Sequence, residues 1–279
     1  MKKGLYIVAT PIGNLGDISA RALETLNAVE IIACEDTRVT KKLFSLLGIS
    51  LKKKFITLHD HNEEKHAQIL IDIINIENKN IALVSDAGSP LISDPGYKLI
   101  RQCREQGVDV YTVPGCCALI CALQLSGLPT NKFMFAGFVP TKEKARTDLF
   151  NSLQKLDATL VFYETATRIL KTLVSAQNIF AKREMAVVRE ISKVYEETIT
   201  GTAEELIKKF TDKEPKGEMV FMIAPPVDND SAEIDVDTLI RHKLELLPLK
   251  TAVKELVAEY NLNKNDVYAR ALEIKNENN

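Results

Sequence analysis

Tryptophan is absent from this chain of 279 residues, and phenylalanine and tyrosine bring the aromatic share only to 6%. A wide, flat aromatic trough is therefore hard to build. Charge of one sign is also missing. The formal net charge is −2, so no global basic field advertises a polyanion, and any nucleic-acid binding must rest on a local patch. No apolar run approaches the ~20 residues of a membrane span. The five cysteines (Cys34, Cys103, Cys116, Cys117, Cys121) have no metal-ligand spacing and read as reduced, mostly buried thiols of a cytosolic chain. Neither G-x-G-x-x-G nor G-K-[ST] occurs, which excludes the dinucleotide fingerprint and the P-loop. A secretory leader is not expected. Lys2 and Lys3 precede only a short apolar stretch that ends in Pro11-Ile12-Gly13, which reads better as a first buried strand.

What is present is alternation. Leu5–Ala9, Val29–Cys34, Phe55–Leu58, Ile81–Val84 and Val108–Val113 read as strands, with helices Ser19–Ala28, Val39–Leu47, Glu63–Ile76, Pro95–Gln106 and Ala118–Ser126 between them. This pattern predicts an α/β fold with a mainly parallel sheet. After Gly127-Leu128-Pro129-Thr130 the expected order is strand Phe133–Gly137, helix Lys142–Leu156, strand Thr159–Tyr163 and helix Thr167–Leu173. Closely spaced strands Met185–Glu190 and Tyr195–Gly201, helix Ala203–Phe210 and strand Glu218–Ile223 then imply a second, mixed sheet. A polar, acidic linker from Ala224 leads to three helices, Val236–Leu246, Thr251–Glu259 and Asp266–Ile274. The expected divisions are residues 1–127, 128–226 and 235–279. The last could be a nucleic-acid reader, a cap or a dimer contact.

Four segments at strand ends draw notice, because open α/β sheets bind ligands at the carboxyl ends of their strands. They are Thr10–Asp17, Cys34-Glu35-Asp36-Thr37-Arg38, Ser85–Pro90 with its continuation to Ser93-Asp94-Pro95-Gly96, and Val113–Ala118. Gly88 would let a ligand approach the backbone, and Asp94 before Pro95 reads as the cap of the next helix. The same stretch could be a plain well-capped connection, but its length argues for more. Asp36 and Arg38 form either a surface ion pair or a ligand-directed acid and base. Arg38, Lys41, Lys42, Lys52, Lys53 and Lys54 follow one another without an acid between, as a phosphate-facing patch or a solvated helix face. Lys142, Lys144, Arg146, Arg168, Arg189 and Lys193 punctuate later loops. His59 and His61 lack a third ligand, so no metal site is expected.

In order from Ala9 to Val220 the chain carries A-T-P-I-G-N-L-G-D-I-S, E-D-T-R, H-N-E, S-D-A-G-S-P-L-I-S-D-P-G, P-G-C-C-A-L, S-G-L-P, G-F-V-P, F-Y-E, R-E-I-S-K and K-G-E-M-V. Together these resemble the tetrapyrrole methylase superfamily that uses S-adenosyl-L-methionine, and within it the bacterial 16S ribosomal RNA cytidine 2′-O-methyltransferases; E-D-T-R, D-A-G-S-P and F-Y-E favour that RNA branch. Two segments depart from the family. Cys116-Cys117 stands where its members usually have Pro-Ser, and Thr165-Ala166-Thr167 where they have Ser-Pro-His.

The resemblance implies a two-domain class III methyltransferase-like fold with a helical extension, a homodimer, a cytoplasmic location, and 16S rRNA, within the small ribosomal subunit, as substrate. It implies cofactor binding by Pro11, Asp86, Ala87, Gly88, Ser89, Pro90, Ser93, Pro114, Gly115, Ala118, Tyr163 and Met222. Arg38, Lys41, Lys42, Lys142, Arg146, Arg168, Arg189 and Lys193 would contact RNA. Asp36 would assist loss of the 2′-hydroxyl proton with Arg38 holding phosphate, and Glu35, Asp17 and Lys193 stand in reserve. Positioning of the attacking oxygen at about 3–3.5 Å would dominate the rate. A tetrapyrrole methyltransferase and a non-catalytic RNA-binding assembly factor remain as alternatives.

Overall fold

The computed structural model describes residues 1–279 except Asp60, Ala181 and residues 213–214, 227–235, 261–262 and 278–279. The expected linker falls mostly on 227–235, outside the described residues. The chain divides into two compact units, Met1–Pro225 and Pro226–Asn279.

In the first unit, β1 (Leu5–Val8), β2 (Ile31–Cys34), β3 (Lys54–Thr57), β4 (Ile81–Val84) and β5 (Val110–Val113) form an all-parallel sheet in the order β3-β2-β4-β1-β5. β1, β2 and β4 are apolar along nearly their whole length because helices cover both faces. Leu5, Ile31, Ala33, Ile81 and Leu83 point to α3 (Glu63–Asn75) and α4 (Tyr97–Glu105). Tyr6, Val8, Ile32, Cys34, Ala82 and Val84 point to α1 (Ala20–Ala28) and α2 (Thr37–Leu46). Neighbouring β1 and β4 thus send their chains to opposite faces, which opens a crevice between their carboxyl ends. Lys53 is half-buried and held by backbone rather than open in a basic patch: its ammonium donates to the Asn27 and Val29 carbonyls at 2.8 and 2.6 Å, at the end of α1.

α5 (Ala118–Ser126) leaves β5 and packs on a second sheet. That sheet is mixed, in the order β6-β7-β10-β8-β9, with β6 (Phe133–Phe138) parallel to β7 (Thr159–Thr165). The other pairs, among β10 (Glu218–Ile223), β8 (Met185–Arg189) and β9 (Glu197–Gly201), are antiparallel. Val161, Ala186, Val188, Val220 and Met222 meet α5 on one face. Leu160, Phe162, Val187 and Phe221 meet α6 (Glu143–Leu153), α7 (Ala166–Phe180) and α8 (Ala203–Asp212) on the other. α7 runs past the expected end at Leu173 because Leu173, Ala176 and Phe180 continue its buried stripe.

The second unit is three helices, α9 (Val236–Leu246), α10 (Leu249–Tyr260) and α11 (Lys264–Glu277), around Ile240, Val253, Leu256, Val267, Ala271 and Ile274. All five cysteines are free. No helix among the described residues is long and apolar enough to cross a membrane.

Candidate active site

The loops after β1, β2, β4 and β5 are tied to one another at the carboxyl rim of the first sheet. Thr10, after β1, and Gly88, after β4, exchange N–H···O bonds of 2.9 and 3.0 Å. The Ser89 hydroxyl donates to the Cys116 carbonyl at 2.9 Å, joining the β4 and β5 loops. The Asp36 N–H donates to Asp86 Oδ1 at 3.2 Å, joining β2 to β4. Gly88 sits at φ +79°, and a Cβ there would meet Ile12 Cγ2 at 3.2 Å. A Cβ on Gly115 would stand 3.0 Å from Ala9 Cβ, so the β5 loop presses on the β1 loop. Gly88 and Gly115 are thus parts of one rim, while Pro114 and Gly115 stay exposed.

The continuation from Asp86 to Gly96 is irregular, with positive φ at Leu91, Ser93 and Gly96. Asp94 does not cap the next helix. α4 begins at Tyr97, two residues past the expected start at Pro95 and behind Gly96, and its cap comes from elsewhere in the chain. The buried Glu63 on α3 accepts the Gly96 and Leu99 N–H groups at 3.1 and 3.0 Å. The H-N-E segment was a signal for this residue, but nothing in it named α4 as the target. Asp94 is half-buried, and its carboxyl is pushed up to about 6. Burial is the main cause and the negative charge of Glu35 the next, with Asp86 and Glu218 adding to it against a Ser85 hydrogen bond.

The second sheet enters through Tyr163 on β7. Its hydroxyl oxygen accepts the Leu119 N–H in the first turn of α5, and burial holds the phenol up at about 12. Cys117, the N-cap of α5, makes no side-chain capping bond, so further N–H groups there are open to an anion. Ala118 begins that turn. Met222 lies deeper: its side chain is fully buried between α5 and the second sheet, in the core and not on the rim. The loop between β8 and β9 closes over the β1 loop, where the Ser192 hydroxyl bonds to the Asp17 carboxylate. A Cβ on Gly13 would meet Lys193 Cγ at 2.6 Å. That contact between loops distant in sequence had no signal in the chain.

Asp36 is the N-cap of α2. It accepts the Arg38 N–H at 2.7 Å and the Arg38 guanidinium at 2.7 and 3.2 Å. The Arg38 hydrogen bonds hold the Asp36 carboxyl down at about 2. A carboxylate so stabilised is a weak proton acceptor while the pair is intact, and it orients Arg38. Arg38 is 90% exposed. Lys41, lying over the Phe55 ring, and Lys42 are exposed on the same helix, and Lys142 is exposed at the start of α6.

Arg146 is a correction. It is 6% exposed, and its guanidinium donates to Ser175 Oγ at 2.8 Å and to the Pro140 and Thr141 carbonyls at 3.3 and 3.2 Å. A group closing the G-F-V-P turn from inside is not available to RNA. Arg168 is held by the buried Glu164 at 2.6 Å and the Val139 carbonyl at 2.8 Å. Arg189 pairs with Glu197, and Lys193 with Glu190. No cluster of metal-ligating side chains occurs among the described residues.

Residues 4–207 match the family Tetrapyrrole (Corrin/Porphyrin) Methylases, and residues 230–275 match the RsmI C-terminal HTH domain. The chain is 46% identical over 271 residues to ribosomal RNA small subunit methyltransferase I of Haemophilus influenzae, covering 95% of this chain and 94% of that one. It is 42% identical over 274 residues to the protein of that name from Escherichia coli O157:H7, covering 96% and 94%. Among solved structures it resembles a diphthine synthase (TM-score 0.61, 15% identity, 79% of this chain, 89% of that one). It also resembles the cobalamin biosynthetic enzyme cobalt precorrin-4 methyltransferase (TM-score 0.58, 16% identity, 79% and 94%). These two likenesses show the fold. With the family match over most of its length and relatives this similar, the chain belongs to the tetrapyrrole (corrin/porphyrin) methylase family, among its ribosomal RNA small subunit methyltransferase I members.

Proposed function

We propose that the chain methylates the ribose 2′-hydroxyl of a cytidine in 16S ribosomal RNA. It is a methyltransferase that uses S-adenosyl-L-methionine. The observation that carries the reading is the rim in which Thr10 pairs with Gly88 and Ser89 bonds to Cys116, beside relatives named for the small-subunit RNA. The close approach of the loops suits a donor held by backbone, since a Cβ at Gly88 would press on Ile12 and one at Gly115 on Ala9. Bound there, the donor supplies an electrophilic methyl carbon on a sulfonium.

Pro11, Asp86, Ala87, Gly88, Ser89, Pro90 and Ser93 would hold it from the β1 and β4 sides. Pro114, Gly115 and Ala118 would hold it from the β5 side, with Tyr163 bracing α5; Met222 would support this wall from within the core. Exposed Arg38, oriented by Asp36, would take RNA phosphate together with Lys41, Lys42 and Lys142, and Lys193 and Arg189 would shape the opposite lip. Arg168 would stiffen the β7 end. A free RNA strand favours these cations over a macrocycle, which speaks against the tetrapyrrole alternative.

The reading extends to a cytoplasmic homodimer acting on the small ribosomal subunit. Phe133, Met134 and Phe138, 43%, 40% and 50% exposed along the edge strand β6, support a self-association surface. Methyl transfer from radiolabelled donor to 16S RNA of cells lacking the protein tests the activity. A donor-induced thermal shift without transfer would favour a different acceptor, and RNA binding without any donor effect would favour the assembly-factor alternative.

A further inference from the structure

The second unit holds a groove of about 730 Å³ between α10 and α11. Apolar Val253, Val257 and Leu272 line it together with Lys250, Lys254, Lys264 and Tyr268. No carboxylate is among its lining residues within the described part of the chain. The contrast with the rest of this unit is sharp: Lys243 pairs with Glu255 at 2.7 Å, and Arg270 pairs with Asp237 and Glu273. Lys250, Lys254 and Lys264 carry no ion pair among the described residues, and all three are exposed.

Lys250 and Lys254 stand one helical turn apart, about 6 Å along α10, a spacing of the order of that between neighbouring phosphates on one strand. Lys264 opens α11, whose N-terminal dipole adds to its charge. Tyr268 follows it by one turn, half-buried, and lines the groove with Val253, Val257 and Leu272. Unpaired cations next to an aromatic ring and apolar side chains suit a ligand that alternates charged phosphates with flat bases. An acidic protein segment would use the lysines and leave the aromatic ring without a matching partner.

We infer that the α10–α11 groove binds a single strand of RNA, with phosphates on Lys250, Lys254 and Lys264 and a base against Tyr268. This rests on the RNA substrate proposed above and adds a second site of contact in a different unit of the chain.

The test uses the full chain and a fluorescent single-stranded 16S RNA fragment. The triple variant Lys250→Gln, Lys254→Gln, Lys264→Gln should bind about tenfold more weakly at low salt. Its log–log salt slope should be shallower by about 2, at roughly 0.7 per lost phosphate contact on a single strand. Tyr268→Leu, which removes the ring but keeps an apolar side chain, should weaken binding severalfold with the slope unchanged. Affinity for S-adenosyl-L-methionine should stay at the wild-type value in both, and the melting temperature should stay at the wild-type value in the triple variant. Those losses support the groove whether or not methyl transfer to 16S RNA is detected, whereas absence of transfer by the wild type strikes only at the proposed activity. Unchanged affinity and slope in the triple variant would overturn the groove. So would displacement of the RNA by polyglutamate together with no effect of Tyr268→Leu, the pattern of an acidic-protein site.

Discussion

Thr10 and Gly88 face each other as an isolated antiparallel pair, each donating its N–H to the other's carbonyl, at the point where β1 and β4 part to opposite faces of a parallel sheet. Two loops that would otherwise fray are locked to each other. At Gly88 the backbone is tightly fitted: φ is +79°, and an added Cβ would press on Ile12.

Gly88→Ala should therefore weaken donor binding at least tenfold. The new methyl meets Ile12 at 3.2 Å, and φ +79° disfavours any L-residue by about 1–2 kcal/mol. Calorimetric titration with S-adenosyl-L-methionine checks the first effect and a thermal melt the second.

Glu63 serves α4 from another helix. Glu63→Ala leaves the Gly96 and Leu99 N–H groups buried without an acceptor and should cost about 1–3 kcal/mol of stability. Glu63→Gln retains one acceptor oxygen and should cost less. Urea unfolding of both variants reads the difference.

The Asp94 carboxyl titrates near 6 in the fold, above its ordinary carboxylate value. The folded chain holds this proton more tightly than the unfolded one. Its stabilising contribution is complete below about pH 4 and is lost as pH rises through the folded value. Asp94→Asn should thus melt higher than the wild type at about pH 8, with the advantage vanishing toward about pH 4. A melting series across that range checks the sign against Glu35, Asp86 and Glu218, the acids that face it.

Arg38 and Arg146 look alike in the sequence and should behave oppositely. Arg38→Ala should leave the melting temperature unchanged and reduce affinity for 16S RNA severalfold, because its side chain is 90% exposed. Arg146→Ala strands three hydrogen-bond acceptors inside the protein and should lower stability by roughly 2–4 kcal/mol. Paired melts and RNA titrations separate the two.

That pair also shows where the sequence stops being legible. Strands such as Ile31–Cys34 and Ile81–Val84 declared themselves because a strand buried on both faces must be apolar throughout. The four rim loops were readable for the same topological reason. Side-chain direction was not. Arg146 lies on α6 one turn from Lys142, and only the packing of α7 decides that one is buried and the other exposed. Asp94 before Pro95 satisfied a local capping rule, yet a distant glutamate caps the helix instead. Local chemistry is written in neighbouring residues, whereas long-range partners such as Glu63–Gly96 and Ser192–Asp17 are set by the assembled fold.

In the proposed function, this rim delivers a methyl group to a ribose oxygen of 16S RNA. Incubating the purified chain and S-adenosyl-L-methionine with small subunits from cells lacking the protein, then digesting the RNA for nucleoside mass spectrometry, tests it directly. The predicted result is one new 2′-O-methylcytidine that is lost with Gly88→Ala; a methyl group on a base, or none on the RNA, would contradict it.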